Sequence, residues 1–304
     1  MPSTARENSI PNPAPSWTLA HLSDPHLTGL AEVERRQLLN KRALGYQSWR
    51  RHRRHEHRPE ILAALVQDLQ HQAVQQVAVT GDLTHLGTPR ECLEVAEWLP
   101  VLGDPYRVTL VPGNHDAYVH EPWRTTLDLW GRYMVGDAPP EGASGERLFP
   151  SLRVRGDLAL IGLSSARPSA PLLAVGSLGM RQLQALGGLL ADTGRRCLCR
   201  VLLIHHPPAP GICPWRKRLT DAPQLARVIA AVGVELVLHV HTHKSARHWL
   251  ATPAGRAPAI GVRSCGRWDG SPTCAGIARK PSPTMSSLSR RSKKPSPRTS
   301  CLAS

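Results

Sequence analysis

Five short clusters of acidic, amide and histidine side chains are spread along this chain. In order they are Asp24-Pro25-His26, Gly81-Asp82, Gly113-Asn114-His115-Asp116, His205-His206 and His241-Thr242-His243. Carboxylate, amide and imidazole groups are the oxygen and nitrogen donors that bind transition metals in proteins. Mixed nitrogen and oxygen ligation favours Mn, Fe, Zn or Co over Mg and Ca, which prefer oxygen ligands alone. These residue types therefore predict a centre that holds two metal ions.

The clusters share one position relative to the predicted strands. Each follows a short run rich in Val, Leu or Ile, and such runs are typical of buried strands. The runs cover residues 17–23, 76–80, 108–111, 200–204 and 235–238. Strands in one sheet have their carboxyl ends at one edge, where open α/β sheets bind ligands. We therefore expect the clusters to converge there, although they are distant in sequence.

The spacing within the clusters predicts how they share the ions. Asp24 and His26 lie two residues apart at the end of a predicted strand. On an extended backbone such residues point to the same side, so we expect the pair to bind one ion together. His241 and His243 repeat this spacing. Asp82 follows a small glycine, and we expect its carboxylate to bridge the two ions.

Between the strands, apolar residues recur at the three- and four-residue spacing of helices. The sequence predicts helices over 59–69, 90–99, 123–133, 180–191 and 222–232, and a hairpin of strands over 148–154 and 158–163. Thr88 is expected to cap the second of these helices. Strands that alternate with helices imply a largely parallel sheet covered on both faces, and the hairpin adds antiparallel strands. The expected fold class is therefore α/β with mixed sheets.

One domain is expected over residues 17–262, with a less regular segment at each end. Residues 1–16 are polar and lack the apolar run of a secretory signal, so a flexible N-terminus and a cytoplasmic location are expected. No stretch reaches the roughly 20 apolar residues that a membrane span needs. Residues 29–58 form a polar insertion beside the first cluster. Its helical character is indicated by a stripe at three- and four-residue spacing: Leu38, Leu39, Arg42, Tyr46 and Trp49. Residues 263–304 are too polar to offset the entropy of ordering, which predicts a disordered basic tail.

The formal net charge of +15 is concentrated in two patches. Residues 270–304 hold seven basic side chains and no acidic one, and residues 50–58 hold five arginines against one glutamate. The tail lacks interleaved aromatic residues, so specific nucleic-acid recognition is not expected, although weak contact with an anionic surface is. We expect the arginines of 50–58 and residues 215–218 to form a basic rim that attracts anionic substrates.

In this order and at these intervals, the five clusters resemble the signature of the calcineurin-like metallophosphoesterase superfamily: D-x-H, G-D, G-N-H-D/E, a lone His and G-H-x-H. The fourth and fifth clusters are similar to those of class III cyclic-nucleotide and glycerophosphodiester phosphodiesterases. The resemblance covers residues 17–262 and implies a four-layer αββα sandwich. It assigns Asp24, His26, Asp82 and His243 to a first metal, and Asp82, Asn114, His205 and His241 to a second.

The resemblance further implies hydrolysis of a small phosphoester, more specifically a phosphodiester of the cyclic-nucleotide or glycerophosphodiester type. By that resemblance, two metal ions about 3.5–4 Å apart would activate a bridging water at neutral pH, and the resulting hydroxide would attack phosphorus in line. His115 is not needed as a ligand and is expected to donate a proton to the leaving oxygen, with Asp116 orienting its imidazole. His206 and Arg216 are expected to contact the substrate.

Two other functions stay open at this point. The first is hydrolysis of a pyrophosphate bond in a sugar-nucleotide lipid precursor at a membrane surface, where the basic patches would dock on anionic lipid. The second belongs to another class, a non-catalytic nucleic-acid-binding protein in which the metal site is only structural. Hydrolysis of phosphoesters by the purified protein would separate this second function from the enzymatic ones.

Val240 is a departure from the family pattern, because it stands where the family has the glycine before His241. Glycine at such a position allows a close approach of the backbone or an unusual dihedral angle. A β-branched residue is compatible with an extended strand. We expect it to tighten the site or to weaken the binding of one metal.

Overall fold

The computed structural model describes residues 17–27, 29–54, 56, 58–72, 74–265 and 276–279. Within them, ten strands form two sheets. The strands are β1 (Thr18–Leu22), β2 (Gln76–Val79), β3 (Val108–Leu110), β4 (Ser151–Arg155), β5 (Leu158–Gly162), β6 (Cys199–Leu203), β7 (Leu236–His239), β8 (Ala246–Thr252), β9 (Gly255–Gly261) and β10 (Gly276–Arg279). One sheet has the order β10-β1-β2-β3 and the other the order β4-β5-β6-β7-β9-β8. Both sheets are mixed, as predicted.

The helices connect the strands in the predicted alternation. They are α1 (Arg42–Ser48), α2 (Pro59–His71), α3 (Pro89–Leu102), α4 (Gly131–Met134), α5 (Gly179–Arg195) and α6 (Ala222–Val232). The cap predicted for α3 is confirmed, because the Thr88 side chain accepts the N–H of Glu91 while the Glu91 side chain accepts that of Thr88. None of the described helices is long and apolar enough to cross a membrane.

The sheets and helices form four layers, as the family resemblance implied. Leu160 of the second sheet belongs to the same buried cluster as Val77 of the first sheet and Leu99 of α3. The other face of the second sheet packs against α5 and α6 through a second cluster that includes Leu186 and Ile229. Burial of these apolar faces is the main stabilising term of such a layered fold. The arrangement fixes the strand ends that position the site.

Two elements differ from the sequence prediction. The helix expected over 123–133 is two short 3₁₀ turns, Trp123–Thr125 and Leu127–Trp130, followed by α4. Thr126 between the turns has φ −135° and ψ −101°, which interrupts a regular helix. The hairpin of β8 and β9 was not predicted, because most side chains of β8 are at least partly exposed and it lacks a continuous apolar run.

The described structure continues past residue 262, where the domain was expected to end. The backbone N–H of Cys265 donates to the carbonyl of Ser23 at 3.0 Å. Strand β10, which lies within the predicted disordered tail, pairs antiparallel with β1. Strand pairing uses backbone N–H and C=O groups, which a segment without proline provides even when its side chains are polar. The pairing also covers an edge of the sheet that would otherwise be open. Residues 1–16, 266–275 and 280–304, on which the remaining predictions about the ends fall, lie outside the described residues.

Candidate metal centre

Most of the predicted ligands lie in sharp turns just after a strand. Five of them have a left-handed backbone: Asp24 (φ 47°), His26 (φ 43°), Asp82 (φ 56°), His241 (φ 69°) and His243 (φ 53°). The expectation that the paired ligands share an extended strand end is therefore wrong. The side chains of Asp24 and His26 do come together, whereas those of His241 and His243 join two different donor groups. A left-handed backbone costs of order 1–3 kcal/mol in a residue other than glycine, and such residues cluster at functional sites.

Two glycines allow the loops of the centre to touch. Gly81 has φ 92°, and a Cβ atom added there would lie 2.3 Å from the backbone nitrogen of Gly113. A Cβ added at Gly113 would lie 2.2 Å from Oδ1 of Asp82. These distances are too short for any side chain, so both positions need glycine to seat the Asp82 carboxylate.

Val240 does not disturb this arrangement of backbones. It is fully buried, and its backbone N–H donates to the carbonyl of His205 at 3.0 Å. The left-handed conformation falls on the next residue, His241, instead. The backbone at 240 thus has no need of glycine here. The expected weakening of one metal stays a prediction.

One group of donor atoms converges around His205. The ligand atoms of Asp82, His205 and His241 all lie within 4.8 Å of one another. Nε2 of His205 is 3.1 Å from Oδ1 of Asn114, 3.2 Å from Nδ1 of His241 and 3.3 Å from Oδ2 of Asp82. Nδ1 of His205 donates to the carbonyl of Thr80 at 2.7 Å, which leaves Nε2 for the centre.

The other group converges around Asp24. The ligand atoms of Asp24, His26 and His243 also lie within 4.8 Å of one another. Nδ1 of His26 donates to the carbonyl of Thr84 at 2.7 Å, so its Nε2 carries the lone pair. Both carboxylate oxygens of Asp24 are buried and accept no hydrogen bond from the described residues. Buried carboxylate oxygens without donors are a strong indication of a cation site.

The electrostatics of the two groups also favour cations. Burial by itself would raise the pKa of Asp82, but His205, His115 and His26 hold that pKa well below its usual range. Burial and the neighbouring Asp82 raise the pKa of Asp24 well above its usual range. Burial lowers the pKa of His205, yet Asp82 raises it overall to about 9. The centre therefore stabilises added positive charge, and its donor set fits the two predicted metal ions.

His115 lies beside the centre and lines the cleft above it. Its Nδ1 donates to the carbonyl of His85 at 2.6 Å, and its backbone N–H donates to Oδ1 of Asp82 at 2.8 Å. Its ring meets that of His26 edge to face, with the centroids 5.1 Å apart. Burial lowers its pKa, and Arg53 lowers it further. The structure thus leaves Nε2 of His115 available for a ligand in the cleft.

Asp116 does not orient the His115 imidazole as predicted, because the His85 carbonyl does so. Its carboxylate instead accepts four backbone N–H groups at 2.8–3.0 Å, from Asp82, Leu83, Thr84 and Gly113. It therefore joins the loop after β2 to the loop after β3. Burial and the charge of Asp82 raise the pKa of Asp116 to about 7, while the backbone donors lower it.

Comparison with known proteins agrees with this geometry. A family model described as Calcineurin-like phosphoesterase matches residues 18–245. The chain belongs to this family. The fold of this metallophosphoesterase is similar to that of a dimetal phosphatase from Danio rerio, with a TM-score of 0.52 and 15% identity over 86% of this chain and 91% of that chain. At such identity the likeness shows the fold alone.

Two further solved structures are similar over 87% of this metallophosphoesterase. One is a sulfate thiohydrolase, SoxB, from Thermus thermophilus, with 17% identity and a TM-score of 0.48. The other is a 5'-nucleotidase precursor, also from Thermus thermophilus, with 15% identity and a TM-score of 0.43. The present chain covers 56% and 51% of these two chains. None of the curated proteins compared with the chain matched it.

The two predicted substrate contacts of the metallophosphoesterase do not face the cleft. His206 is fully buried, with Nδ1 2.8 Å from Oγ of Ser165 and Nε2 3.2 Å from the carbonyl of Ala174. Both ring nitrogens are thus engaged by the protein, and the ring of His206 packs against those of the predicted ligands His205 and His241. Arg216 is exposed and does not line the cleft, whereas the adjacent Lys217 does.

A cleft of about 520 Å³ lies over the centre of this metallophosphoesterase. Lys41, Leu44 and Arg53 line it from the insertion, and Leu172 and Lys217 line it from other loops. Residues of the insertion therefore form part of the cleft lining. Only one of the predicted rim arginines, Arg53, lines this cleft.

A buried arginine, which sequence reasoning took for part of a helical stripe, holds the insertion in place. Arg42 is 1% exposed, and its guanidinium donates to the carbonyls of Leu86 and Gly87 at 3.0 and 2.6 Å. It also pairs with Glu121 at 2.7 Å. These contacts join α1 to the loop that follows the ligand Asp82. Because Arg42 stands at the same helical spacing as its apolar neighbours, the sequence did not indicate that its guanidinium anchors the insertion.

Proposed function

We propose that the protein is a two-metal phosphodiesterase that hydrolyses a cyclic-nucleotide-like or glycerophosphodiester-like ester. The observation that carries the proposal is the meeting of two buried donor groups beneath a cleft of about 520 Å³. Family membership supports phosphoester hydrolysis as the chemistry. The walls of the cleft support a diester as the substrate.

The wall residues combine a few cations with apolar side chains. Lys41, Arg53 and Lys217 supply positive charge, whereas Leu44 and Leu172 offer apolar surface. A phosphodiester carries a single negative charge and two organic groups, which need apolar contact on leaving water. A monoester dianion would gain more from additional cations than from leucines. This balance favours a diester.

The residues of the centre fit two metal ions from the group Mn, Fe, Zn and Co. Asp24, His26 and His243 would hold one ion, and Asp82, Asn114, His205 and His241 would hold the other. By the family resemblance, Asp82 would also contact the first ion. When bound, such ions supply a nucleophile from water at neutral pH and offset charge on the phosphoryl oxygens. The carbonyls of Thr80 and Thr84 keep the imidazoles of His205 and His26 in the tautomer that binds metal.

His115 is the residue proposed to protonate the leaving oxygen. Its Nδ1 is engaged by the His85 carbonyl, which fixes the ring and leaves Nε2 as the donor. Burial lowers its pKa in the free protein. A phosphoryl anion in the cleft opposes that effect, because a nearby negative charge favours the imidazolium. The proton is therefore best held when substrate is bound.

The test is hydrolysis by the purified full chain, supplied in turn with Mn, Fe, Zn, Co and Mg. Bis(p-nitrophenyl) phosphate reports diesterase activity, and p-nitrophenyl phosphate reports monoesterase activity. We expect faster diester hydrolysis, lost together with bound metal in Asp82→Asn and kept in the control Asp68→Asn, whose side chain is exposed. Preference for the monoester would refute the diester assignment. Absence of hydrolysis together with salt-dependent DNA binding that survives Asp82→Asn would support the non-catalytic alternative.

A further inference from the structure

A second cavity lies beside the metal centre, between α2, α3 and the insertion. We call it the side cavity; it has a volume of about 770 Å³. Leu62, Ala63 and Val66 of α2 line it, together with Trp98 and Val101 of α3. Cavities of this size lined by aliphatic and aromatic side chains are typical ligand sites. The proposed reaction at the metals makes no use of this volume.

The side cavity reaches the metal centre at one end. His26, a ligand in the first donor group, lines it, and Arg53 lines both the side cavity and the cleft over the centre. The ring of His85 stacks on that of His26, with the centroids 4.8 Å apart. Trp49 lies 6.1 Å from His85, ring to ring, and also lines the side cavity. A molecule bound at the metals thus has an apolar space next to it.

The positively charged side chains of the side cavity come from the insertion and the start of α2. Arg53, Arg54 and Arg58 line it from the insertion and the start of α2. Glu94 also lines it, but its carboxylate is paired with Arg90 at 3.2 Å. Guanidinium groups bind phosphate oxygens well, whereas the remaining walls offer contact mainly to hydrocarbon. This pairing of cations with an apolar space matches an amphipathic anion.

We infer that the diester substrate carries an aliphatic chain and that the chain occupies the side cavity while its phosphate lies at the metal centre. The inference rests on the proposed function and names the substrate class for that site. An aliphatic chain suits this space better than a nucleobase, because a base would bring polar edges against Leu62, Ala63, Val66 and Val101. The phosphate and the chain would meet at Arg53.

The first experiment varies chain length with the reporter group kept constant. Alkyl p-nitrophenyl phosphates from methyl to dodecyl, each below its micelle concentration, are hydrolysed by the metal-loaded full chain. Each buried methylene should raise kcat/KM by up to about fourfold until the cavity is filled. Thymidine 5'-(p-nitrophenyl phosphate) is the competing substrate. A flat series on an active enzyme, or a preference for the thymidine ester, would overturn the inference.

The second experiment fills the side cavity from its exposed rim. Ala63→Trp places a large side chain in the cavity, and Ala64→Trp is the matched control, because Ala64 is also exposed on α2 but does not line the cavity. We expect Ala63→Trp to lower the ratio of dodecyl to methyl kcat/KM at least tenfold and Ala64→Trp to leave that ratio unchanged. Gln67→Trp, at another exposed lining position, provides a second filling variant.

A binding measurement separates this inference from the proposed function. Dodecyl phosphate is titrated calorimetrically into metal-free wild-type protein and both tryptophan variants. Binding to wild type and Ala64→Trp that weakens at least tenfold in Ala63→Trp supports the side cavity, even if no ester is hydrolysed and the diesterase proposal fails. Equal binding to all three proteins, or no binding to wild type, overturns it.

Discussion

The floor of the cleft and its wall contrast in construction. The floor, made of the seven predicted metal ligands, lies in loops directly after buried strands, and six of its residues are almost fully buried. The part of the wall that the insertion supplies, residues 41–53, is called the wall from here on. It is a short α-helix continued by a π-helical turn, with most side chains exposed or partly exposed. Two packed sheets support the floor, whereas Arg42 is the one fully buried side chain of the wall.

Because of this difference, we expect substitutions in the floor and in the wall to have different effects. Strained left-handed backbones persist only where surrounding structure determines them, and in the floor the sheets and the Asp116 carboxylate provide that structure. Altering the floor should therefore change metal content first. Altering the wall should leave the metals in place and change how substrate is held. The variants below test that separation, beginning with the largest expected effect.

Asp116→Ala is expected to have the largest effect because it leaves four buried backbone donors unsatisfied. Each unsatisfied donor costs about 1–3 kcal/mol, so the free energy of unfolding should fall by at least about 3 kcal/mol. Bound metal should fall as well, since Asp82 loses the contact to its backbone N–H. Urea unfolding and metal analysis measure both effects. Asp192→Ala, which removes only surface ion pairs, is the control and should cost less than about 1 kcal/mol. Unchanged metal content and stability would show that these four hydrogen bonds do not hold the two loops in place.

His115→Ala should reduce turnover without removing metal. General acid assistance is worth roughly 10²–10⁴-fold, so kcat should fall by about that factor for a diester with a poor leaving group such as diphenyl phosphate. The fall should be smaller for bis(p-nitrophenyl) phosphate, whose leaving group needs little protonation. His120→Ala, at an exposed position nearby, is the control. Equal losses with both leaving groups would contradict the acid role and assign His115 to phosphoryl binding.

Arg42→Leu should loosen the wall while the floor keeps its metals. The variant leaves Glu121 without its partner and removes the donors to the carbonyls of Leu86 and Gly87. Breaking a fully buried ion pair lowers the free energy of unfolding by about 3–5 kcal/mol. Because the Glu121 side chain is 29% exposed, we expect the free energy of unfolding to fall by about 2 kcal/mol. Faster tryptic cleavage within the arginine-rich insertion and a raised KM should accompany it. Arg36→Leu, at an exposed site, is the control. Loss of metal in Arg42→Leu would show that wall and floor are not separate.

The floor was far more predictable from sequence than the wall. Apolar runs located the strands, and polar clusters after them located the ligands, because both signals are local. The left-handed turns were not predicted, since residue types at Asp24 and His26 permit an extended backbone equally well. The partners of Asp116 were missed for another reason: its donors at Asp82 and Thr84 lie 34 and 32 residues away, and no local pattern encodes them.

The wall escaped prediction because its main anchor is polar. Arg42 stands at helical spacing with Leu38 and Tyr46, which favours an apolar stripe, yet Leu39 of the same stripe is 86% exposed. Its hydrogen bonds go to carbonyls of a distant loop, and carbonyls are common to every residue. Sequence could therefore indicate that the insertion lies near the centre but not how it is held.

Arg53→Ala should have the smallest effect and should sharpen the basic-rim hypothesis. Arg53 lines the cleft, whereas the neighbouring Arg51 is exposed and lines neither cavity, so Arg51→Ala is a control of equal charge. A partly exposed charge contributes up to about 1 kcal/mol, so KM for bis(p-nitrophenyl) phosphate should rise up to about fivefold with kcat little changed. This increase in KM should be smaller at high salt, because salt screens the attraction between Arg53 and the anionic substrate in the wild-type protein. Equal rises in both variants would mean that the patch attracts substrate only through its summed charge.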